Sequence, residues 1–348
     1  MVNVGIIGCG SITKFRHAPE YSSNKDANIA GFFDPQKERS LEMVQMYGGK
    51  AYESIEEMLT DKSVDAVSVC TANRFHASIT IEALKAGKHV LCEKPMATSV
   101  EDAEKMIDAA RESGKSLMVG HNQRLTDAHV KAKKILESGE LGRIISFRTT
   151  FSHGGPESWS ADKSSKTWFF NKKDAVMGSM GDLGIHKADL IRWLIGDEIV
   201  EVIASVLTLD KKGPQGELIE VDDNALCILR SKTGITGMLT VSWTNYGVED
   251  NSTILYCSEG VMKIYGNPEF PLEIIWKNGE KAFYKIGSIQ TNENQTKSGI
   301  IDLFIDSLVK GIPPAISGED GLASLKIIFA CMKSSAQGSS IRIDYPFI

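Results

Sequence analysis

Apolar residues follow two different rhythms along the chain. In the N-terminal third, the runs at 2–7, 28–33, 66–70, 90–92 and 116–119 are apolar almost without interruption. That is the pattern of parallel strands covered on both faces. Between them, residues 77–86 carry Ile79, Ala83 and Ala86 at helical spacing, with Gly87 placed to end the helix. Residues 99–113 put Val100, Ala103, Met106, Ile107 and Ala110 on one face ahead of Gly114. Strand–helix alternation predicts an α/β, doubly wound parallel sheet with right-handed crossovers.

After residue 122 the rhythm changes. A helix is predicted over 128–137, then β-type runs at 144–151, 200–209, 225–230, 235–243, 253–257, 261–265 and 272–276. Tight turns at 232–234, 258–260 and Asn278-Gly279 each lead into a further strand; Asn-Gly is a strong hairpin signal. Two amphipathic helices, 300–310 and 321–337, flank Pro313-Pro314. The expectation is a first domain over 1–122 and an α+β domain over 123–348 with an open, mostly antiparallel sheet.

Composition removes several classes. The 348 residues carry 39 Lys plus Arg against 45 Asp plus Glu, a net charge of −6. No basic block stands out, so no nucleic-acid partner is expected. No apolar run approaches the ~18 residues of a membrane span. The start, MVNVGIIGCG, lacks a basic region and a cleavage site. Cys9, Cys70, Cys92, Cys227, Cys257 and Cys331 form no C-x-x-C pair, which reads as free buried thiols in a reducing cytoplasm.

Three segments carry chemistry. Gly8-Cys9-Gly10-Ser11-Ile12-Thr13 follows the first strand. In a G-x-G-x-x-G loop the first Gly allows the tight turn and the second lets backbone approach a pyrophosphate at a helix N-terminus. Thr13 replaces the third Gly, which predicts looser packing of the helix on the strand. Asp34 ends the second strand, where a carboxylate accepts from the ribose 2′-OH of NAD and repels the 2′-phosphate of NADP; it also suits the cap of a helix starting at Pro35. Glu93-Lys94-Pro95 follows the fifth run, at the strand ends where ligands of such sheets bind. In the second half, Asp182, His186 and Asp189 fall at i, i+4 and i+7 on one stripe of an apolar helix. Such polar groups are costly unless paired or used. A His beside a carboxylate takes a proton at neutral pH, although Asp182 also suits a cap and Asp189 a partner for His186. Two candidate ligands without a third argue against a metal.

GIIGCGSI, TANRFHASITIEALKAGKHVLCEKPMA, GHNQRL and GSMGDLGIHKADLIRWLIG together resemble the glucose–fructose oxidoreductase / inositol dehydrogenase (Gfo/Idh/MocA) family over nearly the whole chain. The resemblance implies an N-terminal Rossmann domain, a C-terminal domain whose open sheet mediates homodimer or homotetramer formation, and hydride transfer between NAD(P) and a sugar, cyclitol or related polyol. It assigns catalysis to Lys94, Asp182 and His186, and the cofactor to Gly8, Gly10, Ser11, Ile12, Asp34, Thr71, Asn73, His76, Glu93, Lys94 and Asn122. Gln123, Arg124, His153, Trp168, Asp182 and Tyr246 are the expected substrate contacts. The aromatic segment 151–170 suits either a sugar-facing wall or a packed cluster. Relatives that cleave glycosides through transient oxidation, or that only sense NAD or a sugar, are the alternatives; retention of Lys94, Asp182 and His186 together argues against a sensor.

Overall fold

The computed structural model describes residues 1–161, 163–289 and 297–345. Strands β1 (Val2–Ile7), β2 (Ala27–Phe33), β3 (Lys50–Ala51), β4 (Ala66–Val69), β5 (His89–Cys92) and β6 (Leu117–Val119) form one sheet in the order 3-2-1-4-5-6. All its pairings are parallel. Helices α1 (Ala18–Ser23), α2 (Lys37–Tyr47), α3 (Ile55–Thr60), α4 (His76–Lys85) and α5 (Val100–Ser113) return the chain between strands. The unbroken apolar runs have their reason here: Val4 and Ile6 face one side, Ile7, Val67 and Val69 the other, and both sides are buried. α3 and α5 start on Ser54 and Ser99, whose hydroxyls accept from the N–H groups of Glu57 and Asp102.

The second sheet has nine strands: β7 (Ile144–Ser152), β8 (Ile199–Leu207), β9 (Asn224–Ser231), β10 (Thr236–Ser242), β11 (Thr253–Cys257), β12 (Gly260–Ile264), β13 (Leu272–Trp276), β14 (Lys281–Tyr284) and β15 (Ile341–Arg342). Their order is 14-13-12-11-7-10-9-8-15. Every pairing is antiparallel except β7 with β10. That one is parallel because β10 returns to β7 only after a long excursion of chain. Alternation along β9 buries Ala225, Cys227 and Leu229 and exposes Leu226 and Ile228.

Helices α6 (Asp127–Glu137), α7 (Lys172–Ala175), α8 (Ile185–Ile195), α9 (Ile300–Lys310) and α10 (Gly318–Gln337) complete the fold. α10 lies on the inner face of the second sheet, where Ser334 and Ser335 accept from the N–H groups of Ala204 and Val206. α9 goes elsewhere: Ile300, Ile301, Phe304 and Ile305 share a core with Val4, Ile6, Phe32 and Met118. The C-terminal segment therefore returns to the first sheet, and Ile316 accepts from the Val119 N–H at 3.1 Å. No described helix is long and apolar enough to cross a membrane. All six cysteines are free and buried.

Candidate active site

The candidate residues of the first sheet sit on loops at the carboxyl ends of β1, β2, β4, β5 and β6, where such sheets bind ligands. Gly8 has φ +94°, and a Cβ there would come 2.6 Å from the Cys70 carbonyl oxygen, so the first turn requires glycine. Above Gly10 nothing lies within 4 Å of where a Cβ would stand. This is the open approach that a pyrophosphate needs, and the residues fit a dinucleotide. Ser11 and Ile12 open a helical run over 11–23 and line the cleft. Thr13 is buried and its hydroxyl donates to the Gly8 carbonyl at 2.5 Å, while the run widens to a π-turn over Thr13–His17. Asp34 braces the same turn: its Oδ2 accepts from the Cys9 N–H at 2.8 Å and its Oδ1 from the Gln36 N–H at 2.8 Å. It does not cap α2, which begins at Lys37 behind Gln36. A carboxylate oxygen accepts more than one hydrogen bond, so this bracing leaves capacity for a ligand.

A buried chain of donors fixes the turn after β5. Glu93 Oε1 lies 2.8 Å from His17 Nε2, and Glu93 Oε2 accepts from the Lys94 N–H at 3.2 Å. Since a carboxylate only accepts, His17 Nε2 donates to it. His17 Nδ1 lies 3.2 Å from Ser68 Oγ, which lies 2.7 Å from the Tyr21 hydroxyl. Burial alone would raise the Glu93 pKa; the His17 hydrogen bond, with Arg16 and Lys94 nearby, outweighs it and holds the pKa at about 2.

Lys94 leaves this rigid corner and spans the cleft. Its Nζ donates to the Asp182 carbonyl and to Asp182 Oδ1, both at 3.0 Å. Asp182 Oδ2 accepts from Trp243 Nε1 at 3.2 Å and lies 3.9 Å from His153 Nε2. His153 Nδ1 accepts from the Gly155 N–H at 2.9 Å, so its own proton is on Nε2, facing Asp182. Asp182 is held by the turn before it. The Asp222 carboxylate takes the Gly178 N–H, the Ser179 hydroxyl and the Met180 N–H at 2.7, 2.8 and 2.7 Å, and a Cβ at Gly178 would collide with the Asp222 carbonyl. A π-turn over Met180–Gly184 then leads into α8.

His186, in the first turn of α8, is buried and lines the cleft beside Asp182. Burial and then the Lys94 charge push its pKa well below the usual imidazole value, which keeps the ring neutral. The expected single stripe does not survive. Asp182 turns to Lys94 and Trp243, and Asp189 turns to Arg124, whose Nε and Nη2 donate to it at 2.7 and 2.6 Å.

Thr71, Asn73, His76, Glu93, Asn122, Gln123, His153 and Trp168 line the same cleft. His76 is a brace as well as a wall, with its ring nitrogens 2.8 and 2.9 Å from the carbonyls of Pro95 and Thr71. Two expected contacts fall outside the lining. Arg124 is consumed by the buried pair with Asp189 and by Asp320 at 2.9 Å. Tyr246 is 67% exposed and its hydroxyl donates to Asp210. The aromatic segment both lines and packs: Phe151, Trp159, Trp168 and Phe169 face the cleft, with Trp168 stacked on Phe169 at 3.9 Å and Trp159 edge-on to Phe169 at 5.1 Å. Phe15, Arg16, Glu249 and Ile289 join the lining and Trp243 anchors Asp182; none is marked by spacing along the chain. Among the described residues, no group of three or more His, Cys, Asp or Glu is gathered to hold a metal.

Known proteins resemble this chain over nearly its whole length. Residues 2–121 match the family model described as oxidoreductase family, NAD-binding Rossmann fold, and residues 129–263 match the GFO/IDH/MocA C-terminal domain. The chain is 28% identical to myo-inositol 2-dehydrogenase of Thermotoga maritima, over 99% of both chains. It is 31% identical to levoglucosan dehydrogenase of Pseudarthrobacter phenanthrenivorans, over 71% of this chain and 68% of that one. A solved levoglucosan dehydrogenase in complex with NADH superposes with a TM-score of 0.88 at 25% identity, covering 99% of each chain.

Proposed function

The chain belongs to the Gfo/Idh/MocA oxidoreductase family, and from that membership we propose that it oxidises a secondary ring alcohol of a sugar or cyclitol, or reduces the matching ketone, with NAD. The observation that carries the reading is the Lys94–Asp182 pair spanning the cleft beside a buried, neutral His186. The turn Gly8, Gly10, Ser11 and Ile12 would receive the pyrophosphate and Asp34 the ribose hydroxyls. Thr71, Asn73, His76, Glu93 and Asn122 would flank the remainder. The bound nicotinamide supplies the hydride acceptor or donor.

The protein's own groups do the rest. His186 Nε2 takes the proton of the reacting hydroxyl. The Lys94 ammonium stabilises the oxygen as negative charge develops on it. Asp182 holds that ammonium in place and accepts from a second hydroxyl. His153 and Gln123 offer further polar contacts, and the Trp168–Phe169 face suits the C–H-rich face of a ring. A panel of inositols and aldoses with NAD and NADP, read as reduced cofactor, tests the assignment. Turnover with at least one ring polyol is expected, faster with NAD. A clear NADP preference would refute the role given to Asp34.

The exposed face of the second sheet supports self-association. Register places Ile203 opposite Ile228 and Ile228 opposite Met238, and all three are exposed, with Leu226 beside them. This apolar row across the adjacent strands β8, β9 and β10, toward one end of the sheet, suits a second copy of the same face about a two-fold axis. Ile228→Glu is expected to shift the protein to monomer in light scattering while it remains folded. An unchanged mass would count against this face.

A further inference from the structure

A neutral imidazole keeps its proton on one nitrogen while the other accepts from a fixed donor. For His153 that donor is the Gly155 N–H, 2.9 Å from Nδ1. The contact survives only if the backbone at Gly155 stays in place, and Gly155 stands at φ +97°, a conformation that needs outside support in a loop. The support comes from a distant segment. Lys211, between β8 and β9, is 4% exposed although Asp210 and Lys212 on either side face solvent. Its Nζ donates to the Gly154 carbonyl at 2.5 Å and to Glu157 Oε1, so it holds residues on both sides of Gly155. The Tyr246 ring covers the ammonium, with its centroid 4.6 Å away. Asp223, fully buried, fixes the base of this clamp by accepting from the N–H groups of Leu209, Asp210 and Lys211, each at 2.8 Å. The preceding residue, Asp222, grips the turn before Asp182. Two consecutive carboxylates thus anchor Asp182 and, through Lys211, the turn that carries His153.

We propose that Lys211 is a positioning residue for substrate recognition: by holding the Gly154 carbonyl and Glu157 it keeps the Gly155 N–H on His153, and so presents His153 Nε2–H and Trp159 to the cleft. The inference rests on the substrate contact assigned to His153 above. Each link is a direct contact. Lys211 holds the turn, the turn holds Nδ1 of His153, and His153 and Trp159 line the cleft with their rings edge-on, 6.2 Å apart. The clamp has no spare room, because a Cβ on Gly155 would stand 2.9 Å from Lys211 Cε and 2.5 Å from Glu157 Oε2. Lys211 itself is not among the lining residues. It acts through His153, which meets a hydroxyl other than the reacting one. Such a contact is made equally before and during the chemical step, so its loss belongs in KM and not in kcat.

Lys211→Met keeps the unbranched stem and removes the ammonium. It is expected to raise KM for the polyol by about 3- to 10-fold, the worth of one hydrogen bond, with kcat and NADH binding nearly unchanged. Lys211→Arg keeps the charge and a donor and is expected to recover most of the KM. Nitrogen-15 spectra of labelled histidine, with His153 assigned by its loss in His153→Gln, should show a pure Nε2–H ring in the wild type and a mixture of tautomers in Lys211→Met. Thermal melts establish that each variant is folded. If Lys211→Met does not fold, Gly155→Ala decides: its methyl group displaces the clamp without removing a charge, and the same changes in KM and in the His153 signal are expected. An unchanged KM, a loss confined to kcat, or a His153 ring that stays purely Nε2–H in the folded variant would overturn the proposal. The spectra are recorded without substrate. Absence of turnover on every polyol would therefore count against the proposed function, while the His153 signal still decides whether Lys211 holds the turn.

Discussion

His186→Ala is expected to lower kcat for alcohol oxidation by about 100- to 10,000-fold, the range of a lost general base, and to leave NADH binding unchanged by fluorescence titration. The two readouts separate because the imidazole lies beside Asp182 on α8, whereas the dinucleotide turn belongs to β1 and α1. The pH profile supplies a further check. Burial, then Lys94, push the His186 pKa well below its usual value. The unprotonated base is therefore retained as pH falls through the ordinary imidazole range near ~6.5, and oxidation should weaken only below it. A rate that already declines around that value in the wild type would show that another group limits. Undiminished turnover in His186→Ala would remove His186 from the mechanism.

The first sheet was legible because its strands are buried on both faces. Val2–Ile7 matches its apolar run residue for residue, as does Ile300–Lys310 on α9. What was not legible has physical causes. β3, at Lys50–Ala51, is two residues long and half exposed, too short to leave a pattern. The parallel pairing of β7 with β10 depends on where the chain returns, which local periodicity does not encode. Glycine at 8 and 10 could be read from its neighbours, but Thr13 hydrogen-bonding back to Gly8 could not. The stripe of Asp182, His186 and Asp189 failed because it assumed one continuous α-helix. The π-turn over Met180–Gly184 breaks the register before His186, and Arg124, 65 residues away along the chain, claims Asp189. The charge of Arg124 is visible in the sequence, but its partners Asp189 and Asp320 are not. Glu249 and Ile289 reach the cleft from loops whose composition carries no signal.

Lys94→Met tests the other half of the reacting centre and separates chemistry from stability. The methionine keeps an unbranched stem but removes the ammonium that spans the cleft to Asp182. Loss of one group aimed at a developing negative charge is expected to cost about 100- to 1,000-fold in kcat. The same change strips Asp182 of its cation while its side chain stays only 7% exposed. Breaking such a pair from one side destabilises by about 3–5 kcal/mol. The lower end is expected here, because Trp243 Nε1 still donates to Asp182. A second substitution resolves the two effects. Asp182→Asn in the Lys94→Met background removes the stranded charge, so the Tm should recover while turnover does not. Residual activity carries one more signature. Lys94 is the leading charge that depresses the His186 pKa after burial. Its removal lets that pKa climb back toward ~6.5, so the acid limb of the single variant should appear at higher pH than in the wild type. Recovery of turnover together with stability in the double variant would mean that Lys94 only neutralises Asp182 and has no part in stabilising the reacting oxygen.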